Sequence, residues 1–422
     1  MSQTNFKVLI IGGGIGGLCL AQGLKKVNVN VEVFERDKSS TDRPQGNRIH
    51  LRHDGLSALR ECLSPELLST VFTKDQHRGP EKPGMSLLSE QISEILRMDD
   101  PEGEENKPIS RITLRKILLE GLSDIVHWNK RFVRYELSDD GQTVTAFFKD
   151  GTSASGSILV AADGANSTVR SQMLPHAQRV ETGLVAIASR ISITDETKHL
   201  IPVPDLLKSG PAIVMGPGGR SMLLATFYPP PNLDPSFSGE DKPYIMWSVG
   251  AMAHKWSPDL KNKSVDEQIE EVKFHTKTWH PMLRELIAHA DKDNLAYVTV
   301  HTSVRVEPWE SGRVTFVGDA IHSMTPFRGI GGSQALRDAA NLCPVLINAS
   351  RNDKDLFTDI HNYEAEMLKR GFKWVDASLN SMKMMHMDGW PAFFRNWGFR
   401  ALNLWSNPSR VLFGPKKAEF DH

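Results

Sequence analysis

The chain has 422 residues, 40% of them apolar and 24% charged, and a formal net charge of −1. That balance excludes a disordered chain, and the lack of any Lys/Arg block disfavours a nucleic-acid surface. The length implies two or more subdomains. Cys19, Cys62 and Cys343 are far apart in sequence. They form no disulfide framework and no zinc spacing, so a reducing, cytoplasmic setting without a metal is expected. The N-terminus is too interrupted by glycine to be a signal peptide. No run of about 18 apolar residues occurs, so no spanning helix is expected.

Phe6-Lys7-Val8-Leu9-Ile10-Ile11 is a near-continuous apolar run, as in a central parallel strand. Gly12-Gly13-Gly14-Ile15-Gly16-Gly17 follows, and residues 18–26 have helical spacing. Gly12, Gly14 and Gly17 satisfy G-x-G-x-x-G. The first permits a tight turn, the second lets backbone approach a pyrophosphate, and the third packs the helix on the strand. Ile15 sits inside this loop. The pyrophosphate would lie on the helix N-terminus, where free N–H groups and the dipole favour negative charge. A second strand, Val31-Glu32-Val33-Phe34, ends on Glu35, placed to hold a ribose diol. Arg36 follows it, as a surface charge or near an adenine.

A loop at 42–47, containing Gly46, leads to a short strand Arg48-Ile49-His50-Leu51 and a helix from His53 to Cys62. Residues 73–84 and 99–108 read as surface loops flanking a strand pair near 85–96. Ser110 is a plausible N-cap for an amphipathic helix through Leu119. Arg111 lies in its first turn, against the dipole, which suggests a task at a phosphate edge. Strands at 132–137 and 143–148 are joined around Asp139-Asp140-Gly141, a hairpin signal. A buried strand at 157–162 ends in Asp163-Gly164, before a further helix.

From about 180 to 305 the runs 183–193, 212–215, 221–228 and 244–251 indicate a mostly antiparallel sheet, with Pro-rich turns at 201–204 and 229–235. Helices are expected at 264–279 and 282–290. The strand Val314-Thr315-Phe316-Val317 then runs into Gly318-Asp319, and Pro326, Gly329, Gly331 and Gly332 precede a helix from Ser333. Strand, acid, glycine turn and helix N-terminus together make a site for a polyol and a polarised, anion-like ring. Residues 355–385 and 391–405 read as helices rich in Met and Trp. They pack on the first domain, line a greasy pocket, or touch a membrane surface.

These motifs, in this order, resemble the class A flavoprotein monooxygenases, the single-chain aromatic-hydroxylase family. The GxGxxG loop with Glu35, the Asp163-Gly164 and Gly318-Asp319 motifs, and Arg111-Ile112-Thr113-Leu114 carry the likeness over residues 5–350. The resemblance implies an α/β fold: a Rossmann-like FAD-binding domain (1–75, 105–178 and 291–350), a mostly antiparallel substrate sheet (76–104 and 179–290) and a C-terminal helical segment (351–422). It implies that Gly12, Gly14, Ile15 and Gly17 hold the FAD pyrophosphate, Glu35 and Arg36 the adenosine end, and Gly46 and Arg48 the flavin side. Arg111 would meet the FAD chain, Asp163 would couple FAD and NAD(P)H binding, and Asp319 would hold the ribityl chain. Gly331 and Gly332 would offer N–H groups to the flavin pyrimidine edge. The chain departs from the family in having Ile330-Gly331-Gly332-Ser333-Gln334 where Gln-Gly-Ala-Asn is common, so Ser333 is expected to alter flavin contacts.

The implied chemistry uses NADPH or NADH as a transient reductant, O2, and a flavin C4a-hydroperoxide that hydroxylates or epoxidises a hydrophobic aromatic, polyketide or alkaloid molecule. No second GxGxxG is present, which suits a visiting nicotinamide. Met215, Phe227, Trp247 and His254 are substrate-contact candidates by type. His50, His254 and His322 are candidate bases, with His322 better read as structural. The motifs alone also allow a relative that inserts no oxygen, either a reductase or a cyclisation scaffold shaped by FAD.

Overall fold

A computed structural model describes residues 6–40, 42, 48–73, 84–99, 107–200, 210–228, 243–351 and 355–406. β1 (Lys7–Ile11) runs into α1 (Ile15–Lys25) and returns as β2 (Asn30–Phe34). β3 (Arg48–Leu51) leads to α2 (His53–Cys62) and α3 (Pro65–Thr73). The hairpin β4 (Gly84–Ser89) and β5 (Glu94–Asp99) precedes β6 (Lys107–Ser110), which enters α4 (Arg111–Leu119) directly. The Ser110 side chain caps α4 by accepting from the Thr113 N–H, as its residue type predicts. β7 (Val126–His127) is followed by the meander β8 (Phe132–Leu137), β9 (Val144–Phe148) and β10 (Ser153–Gly156). β11 (Ile158–Ala161) and α5 (Thr168–Met173) come next.

The second half begins with β12 (Arg179–Ser192), β13 (Ala212–Gly216), β14 (Arg220–Phe227) and β15 (Tyr244–Met252). Two helices, α6 (Val265–His275) and α7 (Pro281–Ala288), lead to β16 (Ala296–Ser303) and β17 (Val314–Phe316). The chain closes with α8 (Asp319–His322), α9 (Gly331–Arg351), α10 (Leu356–Met385) and α11 (Gly389–Ser406). The Pro-rich turns expected at 201–204 and 229–235 lie outside the described residues.

β17-β11-β1-β2-β7 form a five-stranded parallel sheet. Both faces are covered, so β1 and β11 are apolar without alternation and their apolar residues are fully buried. The fold is thus α/β with a Rossmann-like parallel sheet. The carboxyl ends of β1, β2, β11 and β17 come from distant parts of the sequence and lie side by side.

The larger sheet has seven strands in the order β16-β12-β15-β14-β13-β4-β5, all antiparallel except the β13–β4 pair. One face is covered by α6 and α7 through Trp247, Trp279, Leu283 and Ile287. The other face carries Leu87, Ile213, Met215 and Leu223 toward Met385 and Phe327. The sequence-based division after residue 290 leaves 296–303 with the cofactor domain. In the structure these residues are β16, hydrogen-bonded along β12.

The three cysteines, distant in sequence, meet between α1, α2 and α9 as buried free thiols. Gly23 admits them, since a Cβ there would stand 2.6 Å from Cys343 Sγ. Contact with Cys19, followed by burial, pushes the Cys62 thiol far up. Protonated thiols in such a place pack as small apolar groups.

Candidate functional site

The carboxyl ends of β1, β2, β11 and β17 open into a cavity of about 440 Å³. Gly12, Gly14, Ile15, Gly17, Glu35, Arg36, Arg111, Asp163, Asp319, Gly331 and Gly332 all line it. A larger hollow of about 660 Å³ lies beside α6. It is an open groove along α6, and its Lys263 and Glu271 are already ion-paired at 2.8 Å.

Gly12 has φ +116°, and a Cβ there would stand 2.2 Å from Ala162 O. At Gly17 a Cβ would stand 2.2 Å from Gly12 O, so α1 rests on the loop backbone. Gly14 differs: a Cβ there would meet nothing within 4 Å. It is the N-cap of α1, and no side chain caps that end. The 21-residue α9 begins at Gly331, and Gly16 of α1 comes within a Cβ's 3.2 Å of Ala335 O in α9. Two helix N-termini therefore open on one cavity, each with unbonded first-turn N–H groups.

Glu35 is buried. Its Oε2 accepts from the Gly13 N–H at 2.8 Å and from Arg115 Nη2 at 3.3 Å, and its Oε1 accepts from the Asp37 N–H at 3.0 Å. Arg115 also donates from Nε to Gly13 O at 2.8 Å. This buried arginine fastens the glycine loop to the end of β2, and the sequence reading missed it. The available signal was its position one helical turn after Arg111. Arg115 Nη2 also lies 3.5 Å from Asp37 Oδ2, and Arg115→Met is expected to lower stability by about 2–3 kcal/mol, because Glu35 keeps two backbone donors but loses its buried guanidinium partner. Urea unfolding checks this, and an unchanged midpoint would mean the clamp is dispensable.

Asp163 Oδ2 accepts from the Thr168 N–H at 2.8 Å. Its Oδ1 is buried without a partner, as is Thr325 Oγ1, and both residues line the cavity. Burial pushes the Asp163 carboxyl up, against the hydrogen bonds it accepts. Orphaned buried acceptors of this kind are satisfied by a bound polar group. Together with the open glycine cradle, they fit a dinucleotide of the FAD type.

Gly318 has φ 60° and ψ −135°, a region open to glycine, and so turns Asp319 into the cavity at the start of α8. The Gly318 N–H is held by Asp338 Oδ2 at 2.7 Å. The same oxygen meets His322 Nε2 at 2.7 Å, and Arg370 binds Asp338 Oδ1. All of His322 is buried, and Gly371 passes so close that a Cβ there would stand 2.5 Å from the ring. His322 is a structural residue beneath the Gly-Asp turn. Arg170, also unforeseen, ties the two Asp loops by donating to Ala320 O at 2.8 Å and Ala165 O at 3.0 Å.

Several expectations are corrected. Ser333 does not line the cavity. Its hydroxyl accepts from the Arg52 N–H at 3.1 Å and donates to His50 O at 3.4 Å, joining α9 to the β3–α2 connection. Trp247 lies on the face covered by α6 and α7, so it cannot meet a substrate on the opposite face. His50 and His254 are exposed, the latter on a 3₁₀ turn after β15, and neither lines the cavity. Gly46 lies outside the described residues, and Arg48 is described only by its backbone pairing with Ser110.

The apolar face of the larger sheet does hold Met215, next to Leu223, Met385 and Phe327. Phe227 is stacked on Tyr244 at 4.9 Å. A polar pair missed in the sequence borders this cluster. His386 Nδ1 lies 2.8 Å from Met382 O, a pure acceptor, so Nδ1 carries the proton. Nε2 then accepts from the Ser221 hydroxyl at 2.9 Å. Burial, with Arg395 and Lys255 nearby, holds His386 below the usual histidine range, so it is neutral at pH 7. Phe327 meets it edge-on at 5.3 Å, and Phe327 sits between Pro326 and Gly329 of the cavity wall.

The chain matches the family described as FAD binding domain over residues 5–378. It is 29% identical to the dual O-methyltransferase/FAD-dependent monooxygenase elcB of Phaeosphaeria nodorum, over 90% of this chain and 46% of that protein. The chain thus spans about half the length of that relative. It is 30% identical to the FAD-dependent monooxygenase thnD of Trichoderma harzianum, over 89% of this chain and 95% of that one. The crystal structure of a candidate FAD-containing monooxygenase of Photorhabdus luminescens superposes with a TM-score of 0.80 at 30% identity, covering 90% of this chain and 98% of the other. With a match of that extent on a cavity built as a dinucleotide cradle, the chain belongs to the FAD-binding family of aromatic-hydroxylase-type flavoprotein monooxygenases.

Proposed function

We propose that the protein takes electrons from NADPH or NADH and places one atom of O2 on a hydrophobic aromatic, polyketide or alkaloid molecule. The balance is RH + O2 + NAD(P)H + H⁺ → ROH + H2O + NAD(P)⁺. The observation that supports it is the apolar sheet face of Met215, Leu223 and Leu87, closed by Phe327, whose neighbours line the FAD cavity. Bound FAD supplies the oxygen-activating redox chemistry.

The chain's own residues bind, orient and exclude water. The α1 N-terminus holds the pyrophosphate, Glu35 the ribose and Asp319 the ribityl hydroxyls. The first N–H groups of α9, at Gly331 and Gly332, stabilise negative charge on the ring edge. The apolar face keeps water from the reacting atoms. His386 presents a neutral ring and orients the Ser221 hydroxyl at the border of that face.

Oxygen uptake with NADPH or NADH and a panel of aromatic and polyketide compounds tests this. The expected result is a compound class that raises NAD(P)H oxidation sharply, with one oxygen consumed per product. Asp319→Ala should lose FAD and that activity together. A yellow protein that forms product without consuming oxygen would replace the oxygenase reading with a non-oxygenating one.

A further inference from the structure

The C-terminal helix α11 is docked with its apolar side outward. Its inward residues are Ala392, Arg395, Asn396, Phe399 and Asn403. Asn403 Oδ1 accepts from the Arg97 N–H at 3.1 Å, and its amide donates to Glu94 Oε1 at 3.2 Å, pinning the helix to β5. Arg395 donates to the Met384 and Met385 carbonyls at the end of α10. Only Phe399 reaches the apolar cluster of Met215, Leu223 and Met385.

The outward residues are Trp390, Phe393, Phe394, Trp397, Leu404 and Trp405, with Trp390 75% and Trp405 84% exposed. Trp390, Phe393, Phe394 and Trp397 are spaced by three and four residues, and Leu404 and Trp405 return to the same face two turns after Trp397. A helix whose outer face met only water would have the reverse distribution.

We infer that α11 is an interfacial helix whose aromatic stripe lies in the headgroup region of a lipid bilayer with anionic character. Three features select lipid over a protein partner. Tryptophan stands at both ends and the middle of the stripe, with phenylalanine between, and its ring favours the headgroup level. On α11 Arg400 is exposed and no acidic residue occurs, and the sequence that follows carries Arg410, Lys416 and Lys417 before its first acids, Glu419 and Asp421, which complements an anionic surface. The helix is also held at two points, by Asn403 on β5 and by Arg395 on the end of α10, so it lies on the surface rather than entering it. Among the described residues no helix is long and apolar enough to cross a membrane. The stripe stands one helix thickness from the apolar sheet face, which gives a lipid-dissolved molecule a short path. The lipid contact rests on α11 alone and not on the oxygenation reading.

The test is flotation of the full-chain holoprotein with vesicles of phosphatidylcholine alone and of phosphatidylcholine with phosphatidylserine. The variant Trp390→Ser/Trp397→Ser/Trp405→Ser alters only outward side chains, and FAD content with far-UV circular dichroism confirms its fold. The wild type should float with the anionic vesicles and its tryptophan emission should shift to the blue. The variant's partition coefficient should fall about a hundredfold or more. No flotation with either vesicle overturns the proposal, as does a triple variant that floats like the wild type. Self-association in sedimentation velocity that the variant abolishes, without flotation, assigns the stripe to a second copy instead.

Discussion

Asp338→Asn is expected to lower the folding free energy by about 3–5 kcal/mol, the cost of leaving a buried charge without its partner. Asp338 is completely buried and accepts from Gly318, His322 and Arg370. An asparagine oxygen in the place of Oδ2 still accepts from Gly318 and His322, but its NH2 then faces the Arg370 donor, and the negative charge that balances both cations is gone. The pH dependence carries the same signature. Burial alone would push the Asp338 carboxyl up, but His322, Arg370 and the Gly318 N–H outweigh it and hold it below the usual range. Its stabilisation is therefore present above the unfolded value of about 3.9 and is lost as pH falls through the lower folded value. Burial would push His322 down, but the Asp338 carboxylate outweighs it and raises the ring. That contribution is fully present below the unfolded value of about 6.5 and is lost as pH rises through the higher folded value. Urea midpoints at pH 4, 6 and 8 should show a flatter profile in the variant. A midpoint shift below about 1 kcal/mol would show that the network is not the support of the Gly-Asp turn.

Gly14→Val is expected to weaken FAD binding about a hundredfold or more, equal to about 2.7 kcal/mol, with little change in the stability of the apoprotein. Its backbone, at φ −80° and ψ 177°, is open to any residue. Nothing in the protein lies within 4 Å of the added Cβ, so the side chain enters the space assigned to the pyrophosphate. Gly12→Val is the contrast, since φ +116° and the 2.2 Å approach to Ala162 O disturb the fold itself. Fluorescence titration of the apoproteins with FAD separates the two. Tight FAD binding by Gly14→Val would move the pyrophosphate away from the α1 N-terminus.

The lining of the cavity at the strand ends was legible in the sequence because its parts are local. A buried parallel strand is an apolar run, its carboxyl end is a covalent neighbour of the turn, and the residue type in the turn follows from that position. Gly12, Gly14 and Gly17, Glu35, Asp163, and Gly318-Asp319 were each readable in this way, and the structure brings them to one cavity. The residues that hold these turns in place were not readable. Arg115 reaches Glu35 across 80 positions of sequence, Arg370 reaches Asp338 from another helix, and Arg170 joins two loops 150 positions apart.

The sequence by itself determined the α/β class, most of the strands and helices in their order, though not α3, β6, β7, β10 or β16, and the glycine and acid positions that line the cavity, since each follows from short-range sterics and hydrogen bonding. Only the tertiary structure decided which face of each strand is which. In the larger sheet both faces are covered, so alternation does not distinguish the Trp247 side under α6 and α7 from the Met215 side near the cavity. It likewise decided that β16 pairs with β12 and that the three thiols meet. It also decided that α11 turns its tryptophans outward. A helical stripe of Trp and Phe records that one side seeks an apolar partner. Which side is already occupied depends on long-range packing, against β5 through Asn403 and against the end of α10 through Arg395.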